Sequence, residues 1–334
     1  MNRIISGLAG VCLPGKYSKV LVTGGAGFIG SHVADSFVDS DFEVVVIDNL
    51  SSGRLENIKH NMDKKDFRLA KVDIRDYDSV KKLVKDVDAV FHEAAVVSVT
   101  RSVENPFLTN DVNVTGTLNL LKASVDSGVK RFVYASSSSV YGETKTLPKH
   151  EGLAPQPISP YAVSKMAAER YCLVFHEVYG LETVCLRYFN VYGPRQKYGP
   201  YSGVISIFIN RLLNDEPPII FGDGEQTRDF THVQNVVQAS TLALNKSGAV
   251  GEVFNIAAGV ATTVNELASM LQEIMGKTYL KPVHSSPRPG DIRHSYADVT
   301  KAKKVLGYHP TFSLKEGLSQ LVKWYRSNPS SRSP

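Results

Sequence analysis

The sequence predicts an α/β protein: a doubly wound parallel sheet with helices on both faces and a smaller C-terminal lobe interleaved with it. Three observations predict it. Short β-branched runs alternate with amphipathic helical stretches through the first half. The run Val44-Val45-Val46-Ile47 is apolar without alternation, as a strand covered on both faces must be. After about residue 180 strand-like segments continue, but Pro/Gly-rich loops at 192–200, 215–224 and 285–290 separate them.

Taken in order, Lys19–Thr23, Glu43–Ile47, Ala89–Phe91 and Arg131–Ser136 read as buried strands. Ser31–Asp39, Asp78–Lys85 and Val112–Ser127 read as the helices between them. Ser159 is a good N-cap, Pro160 a good first helical residue and Gly180 a stop, which predicts a long helix over 160–179. Thr183–Tyr188 and Val253–Ile256 complete the sheet. The expected organisation is an N-terminal extension at 1–17 and a sheet domain at 18–190, joined by the strand near 253–256. A lobe for the substrate follows, mainly over 191–326, then a disordered tail at 327–334.

Composition narrows the function classes. The 334 residues are 43% hydrophobic and 21% charged, with a formal charge of +5, the balance of an ordinary soluble protein. The basic residues are scattered, which fits a phosphate-bearing small ligand better than nucleic acid. Cys12, Cys172 and Cys185 form no CxxC pair and imply a reducing, cytoplasmic setting. His92-Glu93 and His176-Glu177 lack the second histidine of a HExxH pair, so no metal is expected. Residues 1–17 loosely mimic a signal peptide but leave almost no lead-in to the first strand, so a surface extension is expected. No stretch reaches the ~18 unbroken apolar residues of a membrane span.

The first strand runs into Thr23-Gly24-Gly25-Ala26-Gly27-Phe28-Ile29-Gly30 and then a helix. Gly24 permits a tight turn, Gly27 lets backbone approach a pyrophosphate, and Gly30 lets helix and strand pack closely. The helix N-terminus adds free N–H groups and a positive dipole end. Asp48 ends the next strand, 21 residues after Gly27, at the spacing of the acid that holds an adenosine ribose. Together these define a Rossmann cradle. A carboxylate there repels a 2′-phosphate, which favours NAD over NADP, although Arg54 is close enough in sequence to relieve the repulsion. Asp73-Ile74, at the end of the third strand, is expected beside the adenine, an ordinary acidic turn being the alternative.

A second constellation follows. Tyr161 and Lys165 lie four apart on the 160–179 helix and share a face. A free tyrosine, with pKa about 10, is a poor base at neutral pH, and an ammonium beside it favours the phenolate. The strand at 131–136 opens into Ser136-Ser137-Ser138-Ser139-Val140-Tyr141-Gly142, hydroxyls at the carboxyl edge of a parallel strand, where ligands bind in such sheets.

The glycine cradle, the serine run before Val140-Tyr141-Gly142, the Tyr-x-x-x-Lys helix and Arg187-Tyr188-Phe189-Asn190 together resemble extended short-chain dehydrogenases acting on nucleotide sugars. The similarity covers about residues 18–326 and is nearest to UDP-hexose 4-epimerases, especially those acting on N-acetylated sugars. The resemblance implies NAD as cofactor, a UDP-sugar as substrate and a homodimer. Ser137 would be the catalytic hydroxyl, Tyr161 the base and Lys165 its partner. NAD would lie against Gly24, Gly27, Phe28, Ile29, Gly30, Asp48, Asn49, Ser51, Gly53, Asp73, Ile74, Ala94, Ala95, Asn113, Tyr161, Lys165 and Phe189. The substrate would meet Ser98, Ser137, Ser138, Asn190, Val204, Arg228, Arg288, Asp291 and Ser295, with the two arginines clamping its pyrophosphate.

Related dehydratases carry an Asp-Glu pair after the catalytic hydroxyl, and decarboxylases a Glu before Val-Tyr-Gly. Here Ser138 and Ser139 stand there, so hydride removal and return at C4 is the expected chemistry. Ser295 stands seven residues after Arg288, at the position the family uses to gate the sugar pocket, and its small side chain implies that N-acetylated hexoses enter. Tyr296 is adjacent, and a slip of one residue would reverse that reading. Two alternatives remain: epimerisation of a UDP-uronate, with Arg101 or the serines meeting the carboxylate, and a non-catalytic protein that binds NAD and a UDP-sugar.

Overall fold

The computed structural model describes residues 16–331 except 197, 200–202 and 288–291. Most of the 1–17 extension, with Cys12, lies outside the described residues; Tyr17 is buried in the core.

The first half alternates strand and helix: β1 (Lys19–Thr23), α1 (Phe28–Val38), β2 (Glu43–Ile47), β3 (Phe67–Ala70), α2 (Tyr77–Val84), β4 (Ala89–His92), α3 (Val99–Glu104), α4 (Pro106–Asn110), α5 (Gly116–Ser127), β5 (Arg131–Ser137), α6 (Pro160–Tyr179) and β6 (Glu182–Tyr188). The stretch expected as one helix over 112–127 is divided, a π-turn at Asp111–Thr115 leading into α5. The long helix has the expected ends: the Ser159 hydroxyl accepts from the Ala162 N–H at 3.2 Å, and Gly180 stops the helix at φ +71°.

The second half adds β7 (Val191–Tyr192), α7 (Val204–Leu213), β8 (Ile219–Phe221), β9 (Thr227–Arg228), β10 (Thr231–His232), α8 (Val233–Asn245), β11 (Glu252–Ile256), β12 (Thr262–Thr263), α9 (Val264–Met275), β13 (Val283–Ser285), β14 (His294–Ser295) and α10 (Leu314–Ser327). Seven strands form one parallel sheet in the order β11-β6-β5-β4-β1-β2-β3. The order reverses between β1 and β4, and that switch point opens a crevice at the strands' carboxyl ends.

The period-2 geometry of β2 explains its unbroken apolar run. Val44 and Val46 join Val33 and Phe37 of α1 and Val236 of α8 on one face. Val45 and Ile47 join Val80 of α2, Leu121 of α5 and Cys172 of α6 on the other. A third core binds α7, α9 and α10 through Phe208, Leu271 and Leu321. The lobe's short strand β9 lies between β12 and β14. The tail expected to be disordered folds back as far as Ser331, whose carbonyl accepts from the Tyr198 N–H at 3.2 Å. No helix among the described residues is long and apolar enough to cross a membrane.

Candidate active site

The glycine loop is shaped by contacts that leave no room for side chains. Gly24 sits at φ +65°, and a Cβ there would lie 2.8 Å from the Ala94 backbone. A Cβ on Gly27 would lie 2.9 Å from the Gly24 carbonyl oxygen, and one on Gly30 would collide with the same atom. The first turn of α1, with Phe28, Ile29 and Gly30, has no side-chain cap and no acidic residue. Its N–H groups therefore face the crevice without an intrahelical partner.

Asp48 lies immediately beyond β2, its carboxylate accepting from the Ala26 N–H at 3.0 Å and the Leu50 N–H at 2.8 Å. Burial pushes its pKa up, and these two bonds oppose the rise. A Cβ on Gly53 would lie 2.6 Å from that carboxylate, so Gly53 keeps space open over it. A cradle closed to side chains, an uncapped helix end and an acid at the second strand's edge fit a dinucleotide. Asn49 and Ser51 follow in the same turn, the Ser51 N–H donating to the Asn49 side chain at 3.0 Å. Asp73 differs from expectation: β3 ends at Ala70, and Asp73 stands in the following turn. Its carboxylate is held bidentately by Arg75 at 2.8 and 2.9 Å and takes the Asn49 amide at 2.9 Å. Arg75, first among these, holds its pKa far below the usual range. Ile74 is buried in the core beside Gly116.

The carboxyl ends of β4, β5 and β6 bring the reactive groups together. The Ser137 hydroxyl, at the end of β5, accepts from the Ser139 N–H at 3.2 Å and the Ser139 hydroxyl at 2.9 Å. It also lies near the Tyr161 hydroxyl; burial raises the Tyr161 pKa and the Ser137 hydroxyl opposes the rise. Ser138 opens the short 3-10 turn Ser138–Tyr141. Ser136 is structural: it donates to Glu169 at 2.6 Å, and Glu169 holds Arg187 bidentately at 2.6 and 2.9 Å.

Lys165 is buried on α6 and donates to the Ala135 carbonyl at 2.8 Å, with Nζ 5.1 Å from the Tyr134 ring centre. Burial pushes its pKa down to about 8. Ser137 supplies the contact that lowers the Tyr161 pKa, while Lys165, one turn along the same face of α6, has its ammonium anchored on a backbone carbonyl.

One site residue escaped sequence reasoning. Glu93, just past β4, accepts from the Tyr188 hydroxyl at 2.9 Å and interacts electrostatically with Lys165. Burial raises its pKa to about 7, while Tyr188 and Lys165 oppose the rise. The sequence showed Glu93 only as half of an incomplete metal motif. Its position at the carboxyl edge of a central strand was the signal that could have found it. A carboxylate is therefore near the reactive centre after all, within electrostatic reach of Lys165 rather than at 138 or 139.

Several predicted contacts have other partners. The Asn113 amide is consumed by the Val96 N–H at 2.8 Å, the Val96 carbonyl at 3.0 Å and the Ser164 hydroxyl at 2.9 Å. It thereby pins the loop containing Ala94 and Ala95 to α6. The Phe189 side chain is fully buried with Tyr141, Val140 and Ala297. Ser98 caps α3 by accepting from the Arg101 N–H at 3.1 Å.

On the substrate side, a cavity of about 460 Å³ is lined by Asn190, Val204, Phe221, Gln226 and Arg228 among others. Asn190 has φ +32° and donates to the Asp229 carbonyl at 3.1 Å. Val204 begins α7, whose first turn has no side-chain cap. Ser295 pairs with Arg228 in the parallel β14/β9 register and is 7% exposed. Paired residues project to the same face, so Ser295, not Tyr296, shares Arg228's side. Arg288 and Asp291 lie outside the described residues. Among the described residues no group of three or more His, Cys, Asp or Glu could hold a metal ion.

Known proteins resemble this chain over nearly its whole length. The family described as "NAD dependent epimerase/dehydratase" matches residues 20–257. The UDP-glucose 4-epimerase of Mycolicibacterium smegmatis is 39% identical over 92% of this chain and 99% of its own. The crystal structure of Thermotoga maritima UDP-glucose 4-epimerase with UDP-glucose is 44% identical, with a TM-score of 0.88 over 93% of this chain and 99% of that one. UDP-N-acetylglucosamine 4-epimerase from Methanobrevibacter ruminantium, in complex with UDP-N-acetylmuramic acid, is 41% identical, with a TM-score of 0.89 over 94% of this chain and all of that one. With a cradle shaped for a dinucleotide and hydroxyls gathered at the switch point, this chain belongs to the NAD-dependent epimerase/dehydratase family of enzymes.

Proposed function

We propose that the protein is a UDP-sugar 4-epimerase that keeps NAD bound through the catalytic cycle. The observation that carries the reading is the meeting of the Tyr161 and Ser137 hydroxyls at the carboxyl edge of β5, beside the glycine cradle and with serines at 138 and 139. The α1 N-terminus and Asp48 would hold NAD, which would supply the hydride acceptor and later donor for C4.

The remaining steps belong to side chains of this chain. Tyr161, ionised, accepts the O4 proton directly or through Ser137, and Lys165 provides the positive field that favours the phenolate. Arg228, with Arg288, holds the diphosphate while the 4-keto sugar turns its other face to the cofactor. Tyr161 then returns the proton to O4. No net oxidation occurs, so turnover needs no added oxidant. The small side chain of Ser295 beside Arg228 leaves space for an N-acetyl group, which supports UDP-GlcNAc/UDP-GalNAc as substrates alongside UDP-Glc/UDP-Gal.

We also place the division of labour at the end of β6, with residues 18–190 seating the cofactor and 191–326 mainly the sugar nucleotide. The α6 stripe Val163, Val174 and Val178, each 40% exposed or more, fits a homodimer formed through α5 and α6. The free, buried Cys172 and Cys185 suit a reducing cytoplasm.

The test is to incubate the purified protein, without added NAD, with each UDP-hexose, UDP-N-acetylhexosamine and UDP-hexuronate, and to follow C4 configuration by NMR. Interconversion of the first two pairs is expected. Turnover of the uronate pair alone would reassign the substrate, and an eliminated or CO2-shortened product would overturn the reaction.

A further inference from the structure

Tyr161, Ser137 and Lys165 have roles in the reaction, but the buried carboxylate of Glu93, which feels Lys165, has none assigned. Glu93 follows β4 directly, where His92 is level with Tyr134 of β5. One residue farther along, the neighbouring strand presents Ala135, whose carbonyl holds the Lys165 ammonium at 2.8 Å. From β6 the Tyr188 hydroxyl donates to Glu93 at 2.9 Å, and Tyr188 itself bonds Ser240 of α8. The Glu93 N–H is tied to the Thr23 carbonyl at 3.3 Å, immediately before the glycine cradle. The carboxylate is thus fixed at the junction of the cofactor loop and the proton-transfer helix.

We propose that Glu93 is a positioning residue: anchored by Tyr188, its carboxylate keeps Lys165 an ammonium and so sets the field in which Tyr161 ionises. The proposal rests on the epimerase reading of the same site. The groups facing the pair support it. Toward Glu93 these are Tyr188 and Lys165; toward Lys165 they are Glu93, Cys172 and the Tyr134 ring. His92, which also feels Lys165, is held neutral by burial, with its pKa near 3. No other carboxylate among these groups can compensate the lysine.

The sign of the coupling follows. Burial raises Glu93 to about 7 and lowers Lys165 to about 8, and each partner's charge opposes the other's shift. Below about 7 the two groups together carry +1, between about 7 and 8 their charges cancel, and above about 8 they carry −1. Glu93 therefore prolongs the protonated life of Lys165 on the alkaline side, where Tyr161 most readily becomes a base.

The experiment compares wild type, Glu93→Gln and Tyr188→Phe as NAD-loaded enzymes. At pH 6 Glu93 is protonated and Gln mimics it, so Glu93→Gln should match the wild-type kcat within about twofold. At pH 8 it should fall about three- to tenfold, as the alkaline limb moves to lower pH, while KM changes little. Independently of turnover, protein labelled with 13C-carboxyl glutamate should show one resonance titrating near 7. That resonance should vanish in Glu93→Gln and move to higher pH in Tyr188→Phe, which loses the bond favouring the carboxylate. A Glu93 resonance titrating below 5, or a Glu93→Gln defect equal at pH 6 and pH 8, overturns the proposal. Should Glu93→Gln not fold, the Tyr188→Phe shift decides alone, and no shift refutes it. Failure of the wild type to epimerise would instead sink the functional reading, because the carboxyl titration does not depend on it.

Discussion

In the proposed epimerase, the cofactor cradle and the substrate lobe would hold their ligands by opposite means. The cradle is backbone: Gly24, Gly27 and Gly30 are defined by the absence of a Cβ, and α1 presents N–H groups rather than side chains. The lobe is side chains on strands two residues long, Arg228 on β9 and Ser295 on β14, aligned only because those strands pair. Backbone recognition tolerates no added atom, whereas side-chain recognition can be re-tuned by one substitution. A cofactor common to many reactions suits the first, and a variable sugar the second.

The contrast predicts a ranking of effects. Between the two regions, Tyr161→Phe removes the base and should lower kcat by ~10³-fold with bound NAD and Tm retained; full activity in that variant would break the scheme. Gly30→Ala drives a methyl into the Gly24 carbonyl, and should reduce the NAD recovered per denatured protomer by ~10-fold or more, since the backbone must yield. In the lobe, Arg228→Leu should raise KM for UDP-sugars about 10- to 100-fold, the worth of one charged hydrogen bond, with kcat less affected. Ser295→Tyr should suppress N-acetylated turnover selectively, leaving UDP-Glc/UDP-Gal within about threefold. Equal turnover of both pairs would refute the gate.

The smallest effect is thermodynamic. Because Glu93's folded-state pKa is raised, its contribution to stability is full below the ordinary glutamate pKa and is lost as pH climbs through about 7. Glu93→Gln should accordingly raise Tm by ~2 °C at pH 8 and leave it unchanged at pH 4, by calorimetry. An equal change at both values would mean that burial of charge is not what the native state bears.

Legibility followed the same divide. The cradle was readable because glycines at 24, 27 and 30 between a strand and a helix serve one local geometry. The 160–179 helix was readable because Ser159, Pro160 and Gly180 are local signals that the cap geometry repeats. Asn113 and Phe189 have partners that the sequence did not show: the asparagine amide bonds Val96 and Ser164, and the phenyl ring packs in the core. Asp73 was displaced because β3 stops at Ala70 and Arg75 captures the carboxylate.

What the sequence by itself determined is whatever is encoded over a few neighbouring residues: turn glycines, caps, strand periodicity and the shared face of Tyr161 and Lys165. Only the tertiary structure decided which distant groups meet. It ties Glu93 to a tyrosine 95 residues away, and sets Ser295 rather than Tyr296 beside Arg228. The reason is physical. Local conformation depends on short-range sterics and hydrogen bonds, whereas the charge state of a buried acid depends on which elements are packed around it.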